Sequence, residues 1–356
     1  MTIELILVGF GNVARRFVRL LEERRARLGE ECGLKWSVVG IATRRHGTLF
    51  DAGGLDVTQA LEVVESGGTL GRLHRADEPS LDNAFDLIRR ASGPMASRRP
   101  KVLVETSVLD IEAGQPAIEH VKAALKAGCH VVTANKGPVA FAYRELADLA
   151  DRVGCSFLFE GAVMDGIPIF NLARETLPAA TITGFRGIVN STTHHMLTAM
   201  EAGREAEEAL AEMQAAGIAE ADASFDVEGW DAAVKTAAII NVLMKGRVTP
   251  REIDRRGIGS VTGDEVRQAV ACGQRLRLVA GARVEDGRPS GYVRPELLPE
   301  SDILARLTGA QNGLVLQTDL LGEIGIIELG SGLTQTAYAL LSDLVTVRKR
   351  LWDSAA

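Results

Sequence analysis

Asp231 and Lys235 stand four residues apart and share one face of any helix that contains them. On a solvated helix such a pair contributes only about 0.2–0.5 kcal/mol. The residues that follow, Thr236 to Met244, are almost wholly apolar, so this helix is expected to be buried. A charged pair on a buried helix is costly unless it has a use. A second cluster lies near the start of the chain, where Gly9-Phe-Gly11-Asn-Val-Ala14 reads G-x-G-x-x-A after a short apolar run. There the first glycine permits a tight turn, the second lets the backbone approach a pyrophosphate, and the alanine lets helix pack on strand. No acid follows the second apolar run, where the ribose of NAD would be held. Arg44 and Arg45 stand there instead, suited to bidentate contact with a 2′-phosphate, so NADP is expected over NAD. Lys136, in Thr133-Ala-Asn-Lys-Gly-Pro138, follows a strand candidate and precedes a helix, a position that faces the ligand crevice of a parallel sheet.

These residues need a frame. Strand candidates at 3–8, 35–42, 101–106, 130–134 and 155–159 alternate with helical patterns at 12–28, 58–66, 81–91, 117–127 and 141–153. That alternation predicts a parallel sheet with crossover helices, a Rossmann-type dinucleotide-binding domain over residues 1–160. Beyond Gly161 the pattern changes. Helices at 193–202, 205–216, 231–245 and 264–272 precede most of the strands at 181–189, 276–284, 291–297, 313–319 and 325–329. The fold class expected is therefore α/β, with a second α+β domain over 161–325. A last helix, within 333–351, is expected to pack back on the first domain.

The composition sets outer limits. The chain has 356 residues, enough for two domains at about 150 residues each. Its net charge of −7 gives no basic stripe for nucleic acid. No apolar run approaches the roughly 18 residues of a membrane helix, and residues 3–8 read as a strand rather than a signal peptide. Cys32, Cys129, Cys155 and Cys272 have no C-x-x-C spacing, which argues against zinc and disulfides and for a reducing cytoplasm.

With these pieces in place, the chain resembles the homoserine dehydrogenase family over nearly its whole length. The resemblance is carried by Gly9 to Val13, Val131 to Pro138, Glu160 to Pro168, Gly187 to Thr193, Gly217 to Asp222, Asp226 to Lys235 and Gly330 to Ala339. It implies reversible NAD(P)-linked reduction of L-aspartate 4-semialdehyde to L-homoserine, a step in threonine, methionine and isoleucine biosynthesis. It implies Lys235 as general acid/base with Asp231 beside it, and Lys136 between nicotinamide and substrate. Glu220 is implied on the substrate amino group, with Asp226 and Thr192 as further substrate contacts. Gly9, Gly11, Asn12, Val13, Arg44, Arg45, Thr106, Ser107, Lys136 and Gly332 are the implied cofactor contacts. A monovalent cation, Na or K, is implied at Glu160, Val163, Asp165 and Ile167. The resemblance also implies that the second domain binds substrate and forms a homodimer through its sheet. Many relatives continue into an ACT regulatory domain; the sequence ends just after the last helix, so threonine feedback through that module is not expected.

Several residues depart from the family pattern. Ser191, His194 and His195 replace common glycine, asparagine and tyrosine, and Ile218 replaces a tyrosine. The two histidines are read as packing or surface residues. These departures leave two alternatives open: a related oxidoreductase acting on another amino-acid aldehyde or hydroxy acid, and a dinucleotide-binding regulator without catalysis.

Overall fold

The computed structural model describes residues 2–75, 80–93, 96–215 and 222–353. The chain forms two compact units, Met1–Gly166 with Leu333–Ala356, and Ile167–Gly332. The first unit holds strands β1 (Thr2–Val8), β2 (Lys35–Thr43), β3 (Gly47–Phe50), β4 (Lys101–Glu105), β5 (His130–Thr133) and β6 (Phe157–Leu158). Its helices are α1 (Asn12–Glu23), α2 (Arg25–Cys32), α3 (Val57–Glu65), α4 (Ala84–Ser92), α5 (Ala117–Lys126) and α6 (Lys136–Val153).

The sheet order is β3-β2-β1-β4-β5-β6. Every pairing is parallel except β2 with β3. β1 and β4 are buried along almost their whole length, which is why they read as unbroken apolar runs. Two expectations need correction. The edge strand β3 is an antiparallel hairpin partner of β2, so the sheet is not wholly parallel. The predicted helix at 12–28 is two helices that meet at Arg24, which leaves helical geometry at φ −107°.

The second unit holds α7 (Ile169–Thr176), β7 (Ile182–Ile188), α8 (Ser191–Glu201), α9 (Ala206–Ala215), α10 (Ser224–Val227), α11 (Trp230–Leu243), β8 (Asp254–Arg255), α12 (Gly263–Ala271), β9 (Gln274–Glu285), β10 (Arg288–Pro299), β11 (Asn312–Thr318) and β12 (Gly322–Glu328). Its sheet runs β12-β11-β7-β9-β10-β8, antiparallel but for the short β10–β8 pairing. Helices α8, α11 and α12 pack on it. α11 lies close to β10: a Cβ on Gly291 would stand 2.6 Å from the tip of the Ile240 side chain, which would have to turn aside.

The final helix, α13 (Leu333–Asp353), belongs to the first unit. Its Leu340, Leu344 and Val347 join Phe17, Val18 and Leu21 of α1 in one core with Ile3, Leu5 and Leu7 of β1.

Candidate active site

The first unit offers a crevice at the ends of β1 and β4, where the strand order reverses. Gly9 makes the turn out of β1 at φ +90°, and a Cβ on it would lie 2.4 Å from the Thr106 carbonyl oxygen. Only glycine serves there. Gly11 caps α1 without a side-chain hydrogen bond, no acidic residue stands in the first turn, and the space where its Cβ would lie is open. The Asn12 and Val13 amides therefore head a helix whose positive end can take an anion. These features fit a dinucleotide pyrophosphate. Arg44 and Arg45 are exposed in the β2–β3 turn. The Thr106 hydroxyl donates to the Gly9 carbonyl at 3.1 Å, and Ser107 follows it. Lys136 is half-buried at the head of α6, a helix that begins earlier than its apolar pattern predicts, with Asn135 as its cap.

In the second unit the charged residues converge. Lys235 Nζ lies 2.8 Å from Asp231 Oδ2 and donates to the Val189 carbonyl at 2.6 Å. The lysine and aspartate side chains are only 14% and 10% exposed. The next residue after Val189, Asn190, caps α8: its oxygen accepts from the Thr193 N–H at 2.9 Å and the Thr193 hydroxyl at 2.8 Å. Its amide donates to Asp226 Oδ1 at 2.7 Å and to Asp231 Oδ2 at 2.9 Å. One turn after β7 thus holds two carboxylates and the lysine. Burial pushes the Asp226 carboxyl above the usual range, and the Asp231 charge adds to this. Hydrogen bonds from Asn190 and Thr192 and the Lys235 charge pull the other way. Two carboxylates facing one ammonium can bind a cationic amine and hold a proton donor in place.

Other expected residues lie apart from this cluster. Glu220 and Ile218 fall outside the described residues. Gly332 ends the second unit, just before α13. Glu160 is buried, and its N–H donates to Asp343 at 2.8 Å. Val163 is buried; Met164 and Asp165 take positive φ of 53° and 51°; Ile167 opens the second unit. The Asp165 carboxylate accepts from the Thr336 hydroxyl at 3.2 Å. Among the described residues, no group of three or more His, Cys, Asp or Glu could hold a metal. His194 is buried, its Nδ1 2.7 Å from the Gln311 carbonyl and its Nε2 3.2 Å from that of Leu307. Asn190 carries no role of its own in the sequence reading, yet an asparagine that follows a strand and directly precedes a helical pattern is an N-cap signal.

A family model described as homoserine dehydrogenase matches residues 168–345, and one described as homoserine dehydrogenase, NAD binding domain, matches residues 9–160. An NAD(+)-dependent homoserine dehydrogenase of Pseudomonas canavaninivorans is 34% identical over 97% of this chain and 96% of its own. The chain belongs to the homoserine dehydrogenase family. It is thereby placed among NAD(P)-dependent oxidoreductases, with a mixed α/β architecture. A crystal structure of a homoserine dehydrogenase from Thiobacillus denitrificans matches with a TM-score of 0.81 at 31% identity, over 99% of this chain and 74% of that one. A hyperthermophilic archaeal homoserine dehydrogenase in complex with NADPH matches with a TM-score of 0.79 at 30% identity, over 98% of both chains. Relatives in this family thus carry different dinucleotides in their names. No described helix is long and apolar enough to cross a membrane.

Proposed function

We propose that the chain is a homoserine dehydrogenase that reversibly reduces L-aspartate 4-semialdehyde to L-homoserine. The observation that carries this is the buried Asp231–Lys235 pair, anchored to the Val189 carbonyl and the Asn190 amide. Lys235 gives a proton to the oxygen that becomes the alcohol, and takes it back in the oxidation direction. Asp231 holds the ammonium in place. Asp226 and Thr192 contact the substrate, and Glu220 takes its amino group. The bound dinucleotide supplies the hydride. Gly9, Gly11, Asn12 and Val13 seat its pyrophosphate, Thr106, Ser107 and Gly332 are further contacts, and Lys136 lies by the nicotinamide.

NADPH is the preferred reductant, because Arg44 and Arg45 stand where a 2′-phosphate is read and no acid competes there. The turn around Val163 and Asp165, with Glu160, offers backbone carbonyls and carboxylates to Na or K, since hard cations take oxygen ligands. A homodimer is supported by exposed apolar residues on the second sheet, Val284, Leu297 and Ile327, with Leu320 and Leu321 in a nearby turn. The cytoplasm is the proposed location.

The test is oxidation of NADPH and of NADH with L-aspartate 4-semialdehyde, by wild type and Lys235→Ala in parallel, with and without Na and K. Turnover lost in the variant supports the assignment, and a wild type that binds cofactor without turning over this aldehyde sinks it. Equal use of both cofactors removes the arginine argument. Sedimentation equilibrium at the assay concentration decides the dimer.

A further inference from the structure

Glu105 ends β4 and is fully buried, yet the reaction proposed above gives it no part. Its carboxylate accepts from the Ser107 N–H at 3.1 Å, from the Ser107 hydroxyl, and from the Thr133 hydroxyl at 3.3 Å. Buried His120 Nδ1 lies 3.6 Å away and has no hydrogen bond among the described residues. Both oxygens of this carboxyl group therefore face hydrogen-bond donors. The contacts extend further. The Thr133 hydroxyl accepts from the Asn135 N–H at 2.9 Å, and the Asn135 amide donates to the Ser107 carbonyl at 3.0 Å. Asn135 in turn caps the helix that Lys136 heads. One buried carboxylate therefore ties the end of β4 to the end of β5 and to the turn that presents Lys136.

The dinucleotide reading fixes what passes over those ends. The pyrophosphate belongs at the β1–α1 turn, and the phosphorylated ribose belongs at the β2–β3 turn with Arg44 and Arg45. The nicotinamide half must then run the opposite way along the sheet, towards β4 and β5. We propose that Glu105 is a positioning residue for the nicotinamide half of the cofactor, and that its charge favours the oxidised, cationic ring over the reduced, neutral one. This rests on the dinucleotide reading of the first unit. Hydride transfer changes the ring by one unit of charge. A fixed negative charge in a buried site attracts the cationic ring and does little to the neutral one. The Lys136 ammonium acts in the opposite sense, and Glu105 offsets it.

The experiment titrates wild type, Glu105→Gln and Glu105→Asp with oxidised and with reduced NADP, without substrate, by calorimetry and nicotinamide fluorescence. The quantity read is the Kd of the oxidised form divided by that of the reduced form. In Glu105→Gln this ratio should rise about fivefold, the size of an effect between partly screened charges. Glu105→Asp keeps the charge and should keep the wild-type ratio, even where both forms bind more weakly. If Glu105→Gln does not fold, Glu105→Met fills the volume without a charge and is read in the same way. Equal weakening of both forms, or a ratio that moves as far in Glu105→Asp as in Glu105→Gln, overturns the charge role. Wild type that binds neither form refutes the dinucleotide reading itself, which is a different failure.

Discussion

Two buried polar clusters in the second unit, both anchored on α8, differ in how their charges close. In the first, fully buried Arg277 meets Glu201 and donates to the carbonyls of Ala305 at 3.0 Å and Leu307 at 3.1 Å. His194 sits beside it against backbone carbonyls, and burial, with the Arg277 charge, lowers its pKa to about 4. Two cations, Arg277 and Arg275, meet two anions, Glu201 and Glu300, the neighbouring imidazole stays neutral, and Arg277 Nη2 ends on carbonyls. In the second cluster, Asp226 and Asp231 share one asparagine amide and one lysine, and the Asp226 carboxyl is pushed upward. Burial is common to both clusters and so does not mark chemistry. What distinguishes them is the surplus negative charge of the second, which only a bound cation or a proton can balance.

That contrast can be broken or sharpened by substitution. Lys235→Ala should lower kcat about a thousandfold while circular dichroism stays native. A loss under tenfold would place the proton transfer elsewhere. Arg277→Ala should act on stability instead, destabilising by about 3 kcal/mol in denaturant because a fully buried side chain is lost and Glu201 keeps only the more distant Arg275, at 3.8 Å. Activity per folded molecule should not change, and a selective loss of kcat would erase the difference between the clusters.

His194 gives a pH signature. The unfolded chain takes up its proton near pH 6.5, the folded chain only near pH 4, so stability is lost as pH falls through this interval. His194→Gln should remove about 3 kcal/mol of that dependence in unfolding titrations at pH 7 and pH 4. Asp226 has the opposite sign. Its raised pKa makes the folded state prefer the proton, so its contribution to stability falls as pH rises through the folded value. Asp226→Asn should therefore be more stable than wild type at pH 7, with the gain vanishing in acid. It should also lose about tenfold in kcat/KM, and a variant that gains stability at no kinetic cost would count against a substrate contact.

The fold was legible where local pattern and tertiary burial agree. β1 and β4 are apolar because both their faces are covered, and the apolar turns after Lys235 announce a buried α11. β3 escaped because four residues between glycine-bearing turns carry too little alternation to stand out. The α1–α2 break escaped because neither glycine nor proline marks Arg24. At the site, spacing alone paired Asp231 with Lys235, since four residues on a helix fix their distance. Arg277 reads as one more polar position in the strand Gln274-Arg-Leu-Arg-Leu. Its partners lie 76 and about 30 residues away, and no local signal carries such a contact. Glu105 escaped in the same way, as the last letter of Lys-Val-Leu-Val-Glu.

The return of α13 to the first unit bears on synthesis. Leu340, Leu344 and Val347 complete a core begun by Ile3, Leu5 and Phe17, and the whole second unit is translated between these two groups. While the ribosome makes residues 167–332, the first unit carries an uncovered apolar stripe on α1 and cannot close. The second unit, continuous in the chain, can finish folding first. The earliest-made segment thus stays uncovered longest during synthesis, and a premature stop before Leu333 would leave the first unit without the helix that closes its core.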